Sequence, residues 1–346
     1  MIFTSDNAHI VSPEILKALA AANEGTVSSY GADPLTQRLG EVLGDLFGRE
    51  VAAFPVMTGT AANALALATV TPSYGAIFCH AEAHVQSSEC GAPEFFSGAK
   101  LVTIEGADGR MTGQGLRDML ELFPADDVHY VKPSTVTITQ SAEMGTLYRP
   151  AEISQIRAAA DTRSLAFHMD GARFANAVAA LDCSPAAITC DAGVDVLSFG
   201  ATKNGAMAAE VVVFFDPRHA EEFAYRRKRG GHLVSKMRFV SAQLLAYLAD
   251  DLWLRNARHA NAMATRLAEG LANLSGVTLL YAVEANEIFI RLPRRISAAL
   301  EAAGAHFYEW PMAGDGPEAG TVRLVTSFAT QAREVDQFLK CAAHIS

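Results

Sequence analysis

Lys203, Asp170 and the segment Thr58-Gly59-Thr60 are the residues whose types and spacing could do chemistry. Lys203 stands in Ser198-Phe199-Gly200-Ala201-Thr202-Lys203-Asn204-Gly205-Ala206, just after the apolar run Val194 to Phe199. A lone lysine among small residues suits a nucleophilic amine in a partly desolvated pocket, although the segment alone reads more simply as a surface turn. Asp170 ends another apolar run, in Phe167-His168-Met169-Asp170-Gly171-Ala172-Arg173. A carboxylate there would keep a pyridinium nitrogen protonated, so that the ring can accept electrons. Arg173 follows, and its guanidinium fork suits a carboxylate; a helix cap at Asp170 paired with Arg173 is the structural alternative. In Met57-Thr58-Gly59-Thr60-Ala61-Ala62-Asn63, small and hydroxyl residues precede an alanine-rich stretch. Such a helix start offers backbone N–H groups and a partial positive charge to an anion, or is an ordinary Thr-capped helix.

These residues need elements that bring them together. Short β-branched or aromatic runs cover Val51 to Val56, Ala76 to Cys79, Leu101 to Ile104, Thr135 to Thr139, Leu165 to Met169, Val194 to Phe199 and Val211 to Phe215. Helical patterns lie between them. Leu35, Leu39, Val42, Leu43 and Leu46 recur at helical spacing after Asp33-Pro34, and a second helix runs from Pro150 to Ala160. The alternation predicts an α/β fold with a mostly parallel sheet covered on both faces, its site beyond the carboxyl ends of the strands. The rhythm changes after about Leu254. A long Ala-rich helix reaches Asn273, followed by strands at Val277 to Leu280, Glu287 to Leu292, His306 to Glu309 and Val322 to Thr326, a helix around Ala298 to Ala303 and a closing helix. We expect an N-terminal arm and large α/β domain over 1–250, and a small C-terminal α+β domain over 251–346, with the boundary in the helical region between Phe239 and Asn273.

Bulk properties exclude several classes. The 346 residues carry a formal charge of -10, which argues against nucleic-acid or anionic-membrane surfaces. The basic run Arg226-Arg227-Lys228-Arg229 reads by default as the solvated end of a helix. Five scattered cysteines, without a CxxC pair or a histidine at zinc spacing, predict neither a disulfide framework nor a metal. Free thiols, no basic-then-apolar leader at Met1 to Asp6, and no apolar run near the roughly 20 residues of a membrane span lead us to expect a cytoplasmic protein.

A phosphate cradle, a strand-end Asp and a small-residue lysine, in this chain order, are the parts of a pyridoxal 5'-phosphate site. The chain resembles the threonine aldolases of the β-eliminating lyase superfamily, fold type I enzymes of that cofactor, over nearly its whole length. The resemblance rests on Thr4-Ser5-Asp6-Asn7, Tyr30-Gly31-Ala32-Asp33-Pro34, Thr58-Gly59-Thr60-Ala61-Ala62-Asn63, His80-Ala81-Glu82-Ala83-His84, Met169-Asp170-Gly171-Ala172-Arg173-Phe174 and the Lys203 segment.

The resemblance implies roles. Lys203 would hold the cofactor as a Schiff base, with Thr58, Gly59 and Thr60 at its phosphate, Asp170 at its ring nitrogen and His84 stacked on the ring. Ser5, Arg173 and Arg323 would hold the substrate carboxylate, and Tyr30 would lie near the substrate. Outside the resemblance, Arg323 fits a strand-face salt bridge and Tyr30 a plain turn aromatic. Lys228 and Arg238 match basic residues that reach a cofactor phosphate from the neighbouring subunit, which implies a homodimer at least and a homotetramer by expectation. One segment departs from the family: in Thr139 to Thr146, Glu143 stands where many members have a histidine that contacts the substrate's hydroxyl. An exposed turn residue is the alternative reading of Glu143.

The implied reaction is retro-aldol cleavage of an L-β-hydroxy-α-amino acid (L-threonine, L-allo-threonine or L-phenylserine) to glycine and an aldehyde. His84 is the first candidate base for the β-hydroxyl proton, since imidazole titrates near neutral pH. A β-eliminating lyase, or other amino-acid chemistry on the same scaffold, is the alternative. A non-catalytic binding domain is a third reading, disfavoured because every cofactor residue is present and no DNA-binding appendage is visible.

Overall fold

The computed structural model describes residues 1–124 and 127–344. Its larger sheet has seven strands: β1 (Ala52–Val56), β2 (Gly75–His80), β3 (Lys100–Ile104), β4 (Lys132–Thr139), β5 (Ala166–Gly171), β6 (Val196–Gly200) and β7 (Glu210–Phe214). They lie in the order β1-β7-β6-β5-β4-β2-β3. Strands β2 to β6 pair in parallel, and β7 runs antiparallel to both β6 and β1. Each of the seven runs read from the sequence is a strand, because a sheet buried on both faces demands continuous apolar β-formers.

The register decides what meets at the carboxyl edge. Asp170 lies between Thr139 and Ser198, and Glu210, the first residue of the reversed strand, lies between Gly200 and Val56. Both of those carboxylates therefore sit on the edge where the parallel strands end, where an open α/β sheet places its ligands.

The Gly59–Val70 helix is buried along Ala61 to Ala68. It is apolar on every face because it is enclosed, and Thr58 caps it by accepting the Ala61 N–H at 3.2 Å. Beneath the edge, the Phe174, Phe199 and Trp253 rings pack together with centroids 5.5 to 6.4 Å apart. Burying each such ring contributes roughly 1.5–3 kcal/mol, which fixes the floor under the site.

A second, antiparallel sheet has the order β10-β11-β9-β8, made of β8 (Thr278–Leu279), β9 (Glu287–Pro293), β10 (Tyr308–Glu309) and β11 (Ala319–Val325). Its core gathers Ile288, Ile290, Leu324 and Phe338 with Leu267 and Leu271 of the long Leu252–Ala272 helix. Phe3 joins that core: its N–H donates to the His306 carbonyl and its carbonyl accepts from the Val325 N–H. The N-terminal arm is thereby tied to the small sheet, and it delivers Ser5, Asp6 and Asn7 to the edge of the large one.

The basic run corrects its default reading. In the Phe223–Arg229 helix, Arg227 lies one turn beyond Phe223 on the same, inward face. Its Nη1 donates to the Pro55 carbonyl at 3.2 Å and its guanidinium lies 5.2 Å from the Phe54 ring centroid. Burial depresses its pKa to about 10. At least one member of the run packs under β1 and is not solvated.

Candidate active site

A cavity of about 450 Å³ opens at the carboxyl edge of the large sheet, within the size range of small-molecule sites. Its walls include Lys203, Asp170, His84, Arg173, Glu143 and the Thr58-Gly59-Thr60 segment, so residues far apart in the sequence converge on one space.

Two glycines let the Asp170 and Lys203 segments approach. A Cβ at Gly200 would lie 2.7 Å from the Ala172 carbonyl oxygen and 2.9 Å from its Cα, and one at Gly171 would lie 2.7 Å from the Ser198 carbonyl oxygen. The turn Thr202–Asn204 then carries Lys203 into the cavity. Asn204 anchors that turn, donating from Nδ2 to the Tyr247 hydroxyl and the Trp253 carbonyl, each at 2.8 Å.

Asp170 is almost fully buried. Its Oδ1 accepts the Ala172 N–H at 3.0 Å, and its Oδ2 accepts from Asn63 Nδ2 at 2.8 Å. Asn63 donates equally to Glu89 Oε1, which lies 2.8 Å from His84 Nδ1. Four polar side chains thus form one chain beneath the cavity. The Glu89 hydrogen bond raises the His84 pKa above its ordinary value, against the opposing effect of burial. Burial in turn raises Glu89, with Asp170 adding repulsion and His84 and Asn63 opposing it.

Thr58 spends its oxygen on the helix cap, which leaves its hydroxyl hydrogen free to donate. A Cβ at Gly59 would meet no protein atom within 4 Å. The helix N-terminus is therefore open to the cavity, as an anion needs.

Arg173 grips Asp6 with both faces of its fork, Nε to Oδ2 at 2.8 Å and Nη2 to Oδ1 at 3.1 Å, while Nη1 lies 3.1 Å from Glu287 Oε2. Burial alone would raise the Asp6 carboxyl, but the Arg173 and Lys203 charges and the hydrogen bonds hold it below its usual value. Glu143 lies half-buried in the wall. Burial, and then the Glu287 charge, push its carboxyl up to about 7, with His84 and Lys203 drawing it the other way.

The remaining sequence-predicted residues stand outside the cavity walls. Ser5 caps the short Asp6–Ala8 turn, accepting the Asn7 N–H at 3.1 Å. Arg323 donates to the Thr4 carbonyl at 3.3 Å and lies over the Trp310 ring at 4.8 Å. Both flank the Asp6–Arg173 pair through the N-terminal arm. Lys228 lies 5.0 Å over the Tyr30 ring, and Arg238 donates to the Glu24 and Gly25 carbonyls. Tyr30 and Lys228 thus pair with each other, and Arg238 is held by the 24–25 backbone.

Asn63, Glu89, Asp6, Glu287 and Glu210 belong to the site or its support, and reading residue types assigned them no role. A signal existed for two of them. Asn63 is a polar residue inside an Ala/Leu helix, and Glu210 opens an otherwise apolar strand.

The residues present fit pyridoxal phosphate. An amine, a buried carboxylate, a half-buried imidazole and an open helix start share one cavity. The buried Asn63 Oδ1 and Glu89 Oε2 lack partners among the described residues, which leaves unmet polar capacity at the same place.

Comparison with known proteins agrees. The beta-eliminating lyase family profile matches residues 3–293. A low specificity L-threonine aldolase of Pseudomonas aeruginosa is 47% identical over 307 residues, 88% of each chain, and one of a Pseudomonas sp. is 44% identical over the same share. The solved structure of a Leishmania major threonine aldolase superposes with a TM-score of 0.93 at 26% identity, over 99% of this chain and 98% of that one. With its fold, its cavity and this match over most of its length, the chain belongs to the beta-eliminating lyase family.

Proposed function

We propose that this chain is a pyridoxal 5'-phosphate-dependent aldehyde-lyase of the L-threonine aldolase type, cleaving L-β-hydroxy-α-amino acids to glycine and an aldehyde. The observation that carries the reading is the convergence of Lys203, Asp170 and His84 on one cavity whose wall also presents Glu143. The P. aeruginosa relative at 47% identity supports the substrate class.

When bound, the cofactor supplies an electron sink for the pair released as the Cα–Cβ bond breaks. Lys203 would hold it through its amine. Asp170, fixed by Ala172 and Asn63, would keep a proton on the ring nitrogen. His84, its orientation set by Glu89, would contact the ring. Thr58, Gly59 and Thr60 would hold the phosphate at the helix start.

The β-hydroxyl proton needs an acceptor. His84 was the sequence-based candidate, but its tie to Glu89 favours its protonated form. Glu143, titrating at about 7, suits general-base work at neutral pH better, and we assign it that part. Ser5, Arg173 and Arg323 hold the substrate carboxylate. Asp6 engages Nε and Nη2 of Arg173 and Glu287 engages Nη1, so a substrate carboxylate reaches this guanidinium in competition with Glu287. Tyr30, Lys228 and Arg238 serve a site shared across subunits in a homotetramer.

The division at residue 250 belongs to the same proposal. The Leu252–Ala272 helix spans both cores, giving Trp253 and Ala257 to the first and Leu267 and Leu271 to the second. Among the described residues no helix is long and apolar enough to cross a membrane, and the free cysteines suit a cytoplasmic setting.

Incubation with L-threonine, L-allo-threonine, L-phenylserine and L-serine tests the reading. Glycine with aldehyde is the expected product; pyruvate with ammonia and no glycine would move the assignment to β-elimination.

A further inference from the structure

Glu210 is a buried carboxylate in the Lys203 cavity, with no part in the proposed cleavage chemistry. It is the first residue of β7, 6% exposed, and it lines the same cavity as Lys203. The antiparallel course of β7 brings it to the edge where β1 and β6 end, directly beside Gly200 and Val56. Its Oε2 accepts the Ala201 N–H at 3.1 Å, and Thr202 hydrogen-bonds to it as well. Both donors belong to the turn that presents Lys203. An apolar strand start would fold more readily here, so a buried acid at this position is a departure that calls for a reason.

We propose that Glu210 is the positioning residue of Lys203: it holds the lysine-bearing turn through Ala201 and Thr202 and places a carboxylate in the cavity that Lys203 enters.

The charge environment is compatible. Burial raises the Glu210 carboxyl to about 7, with Thr202, Ala201 and Lys203 opposing that rise. The Tyr247 hydroxyl, from the Arg238–Leu248 helix, also faces it and feels its charge. Lys203 acts in addition on Asp6 from the N-terminal arm and on Glu143 from the 140–148 loop. Three carboxylates, Glu210, Asp6 and Glu143, therefore feel the Lys203 charge. Of the three, Glu210 is the one that hydrogen-bonds to the Lys203 turn among the described residues.

The inference rests on Lys203 being the cofactor-bearing amine, and the experiment separates the two. The visible absorbance of the holoenzyme is titrated with pH, without substrate, for the wild type, Glu210→Gln and Glu210→Asp. Gln keeps the size and an acceptor oxygen for the Ala201 N–H and removes the charge. The expected result is a downward shift of the titration midpoint in Glu210→Gln of about one pH unit, the order conferred by a single nearby opposite charge. Glu210→Asp, which keeps the charge, stays nearer the wild type. Equal midpoints in wild type and Glu210→Gln would overturn the inference and leave Glu210 as a prop for the turn. If Glu210→Gln does not fold, a Glu210→Asp midpoint as low as that of a charge-free Glu210→Ala would overturn it too. A wild-type protein that shows no visible cofactor band when supplied with pyridoxal phosphate would instead remove the Lys203 assignment, and the inference with it.

Discussion

Arg173 and Asp6 form a buried two-point pair, Nε to Oδ2 at 2.8 Å and Nη2 to Oδ1 at 3.1 Å, joining the end of β5 to the N-terminal arm. Their pairing spans 167 positions of sequence. Because the arm is itself hydrogen-bonded to the small sheet, this pair couples both sheets to the site.

Asp6→Ala should therefore destabilise the protein by about 3–5 kcal/mol, the cost of stranding one buried charge, and weaken substrate binding. The Asp6 carboxyl lies below its ordinary value when folded. Its stabilising contribution is thus present above about pH 4, the unfolded value, and is lost as pH falls through the folded one. Urea unfolding of wild type and variant at pH 7 and pH 3 checks this: the gap should narrow at pH 3.

Glu143→Gln should lower kcat on L-threonine by about 10²–10⁴, the span of general-base contributions. It should also flatten the rise of kcat with pH around 7, where the carboxyl loses its proton. A raised carboxyl pKa makes ionisation unfavourable to the fold, so its stability falls as pH climbs from the unfolded value toward 7. Melting temperatures should then favour Glu143→Gln over wild type at pH 8 and converge at pH 4. A pH–rate profile unchanged by the substitution would return the base role to His84.

Much of the architecture was legible in residue order. Every strand of the large sheet announced itself as a run rich in β-branched and apolar residues, because burial on both faces favours them. Lys203, Asp170 and the Thr58–Thr60 segment stood out since small residues around a functional group serve no packing purpose. What residue types did not reveal was how the charges pair. Arg173 looked free to bind substrate, yet Asp6 fills its fork. Arg227 looked solvated, yet the helix turns it inward onto Phe54. Pairings between distant segments depend on register and on which helix face turns inward, and neither is written in local pattern.

Asn63→Ala should leave two buried carboxylates, Glu89 and Asp170, without their shared donor. Each unmet group costs about 1–3 kcal/mol, so unfolding free energy should drop measurably. Cofactor retention through gel filtration should weaken in parallel, since Asp170 loses the bond that orients Oδ2.

Gly200→Ala places a methyl 2.7 Å from the Ala172 carbonyl oxygen, against backbone that cannot swing aside. Overpacking of that kind costs about 1–3 kcal/mol, and here it displaces the turn carrying Lys203. Thermal melting should fall and the visible cofactor band should weaken. Glycine at Gly59, with open space where its Cβ would stand, should tolerate the same change in fold stability and show the loss only in cofactor binding.

The central claim is that Lys203 carries a cofactor used to split β-hydroxy-α-amino acids. The most direct measurement is glycine released from L-threonine by the wild type and by Lys203→Ala at equal protein concentration. We predict glycine equimolar with acetaldehyde from the wild type, and almost none from the variant. Full glycine release by Lys203→Ala, or pyruvate and ammonia without glycine from the wild type, would contradict it.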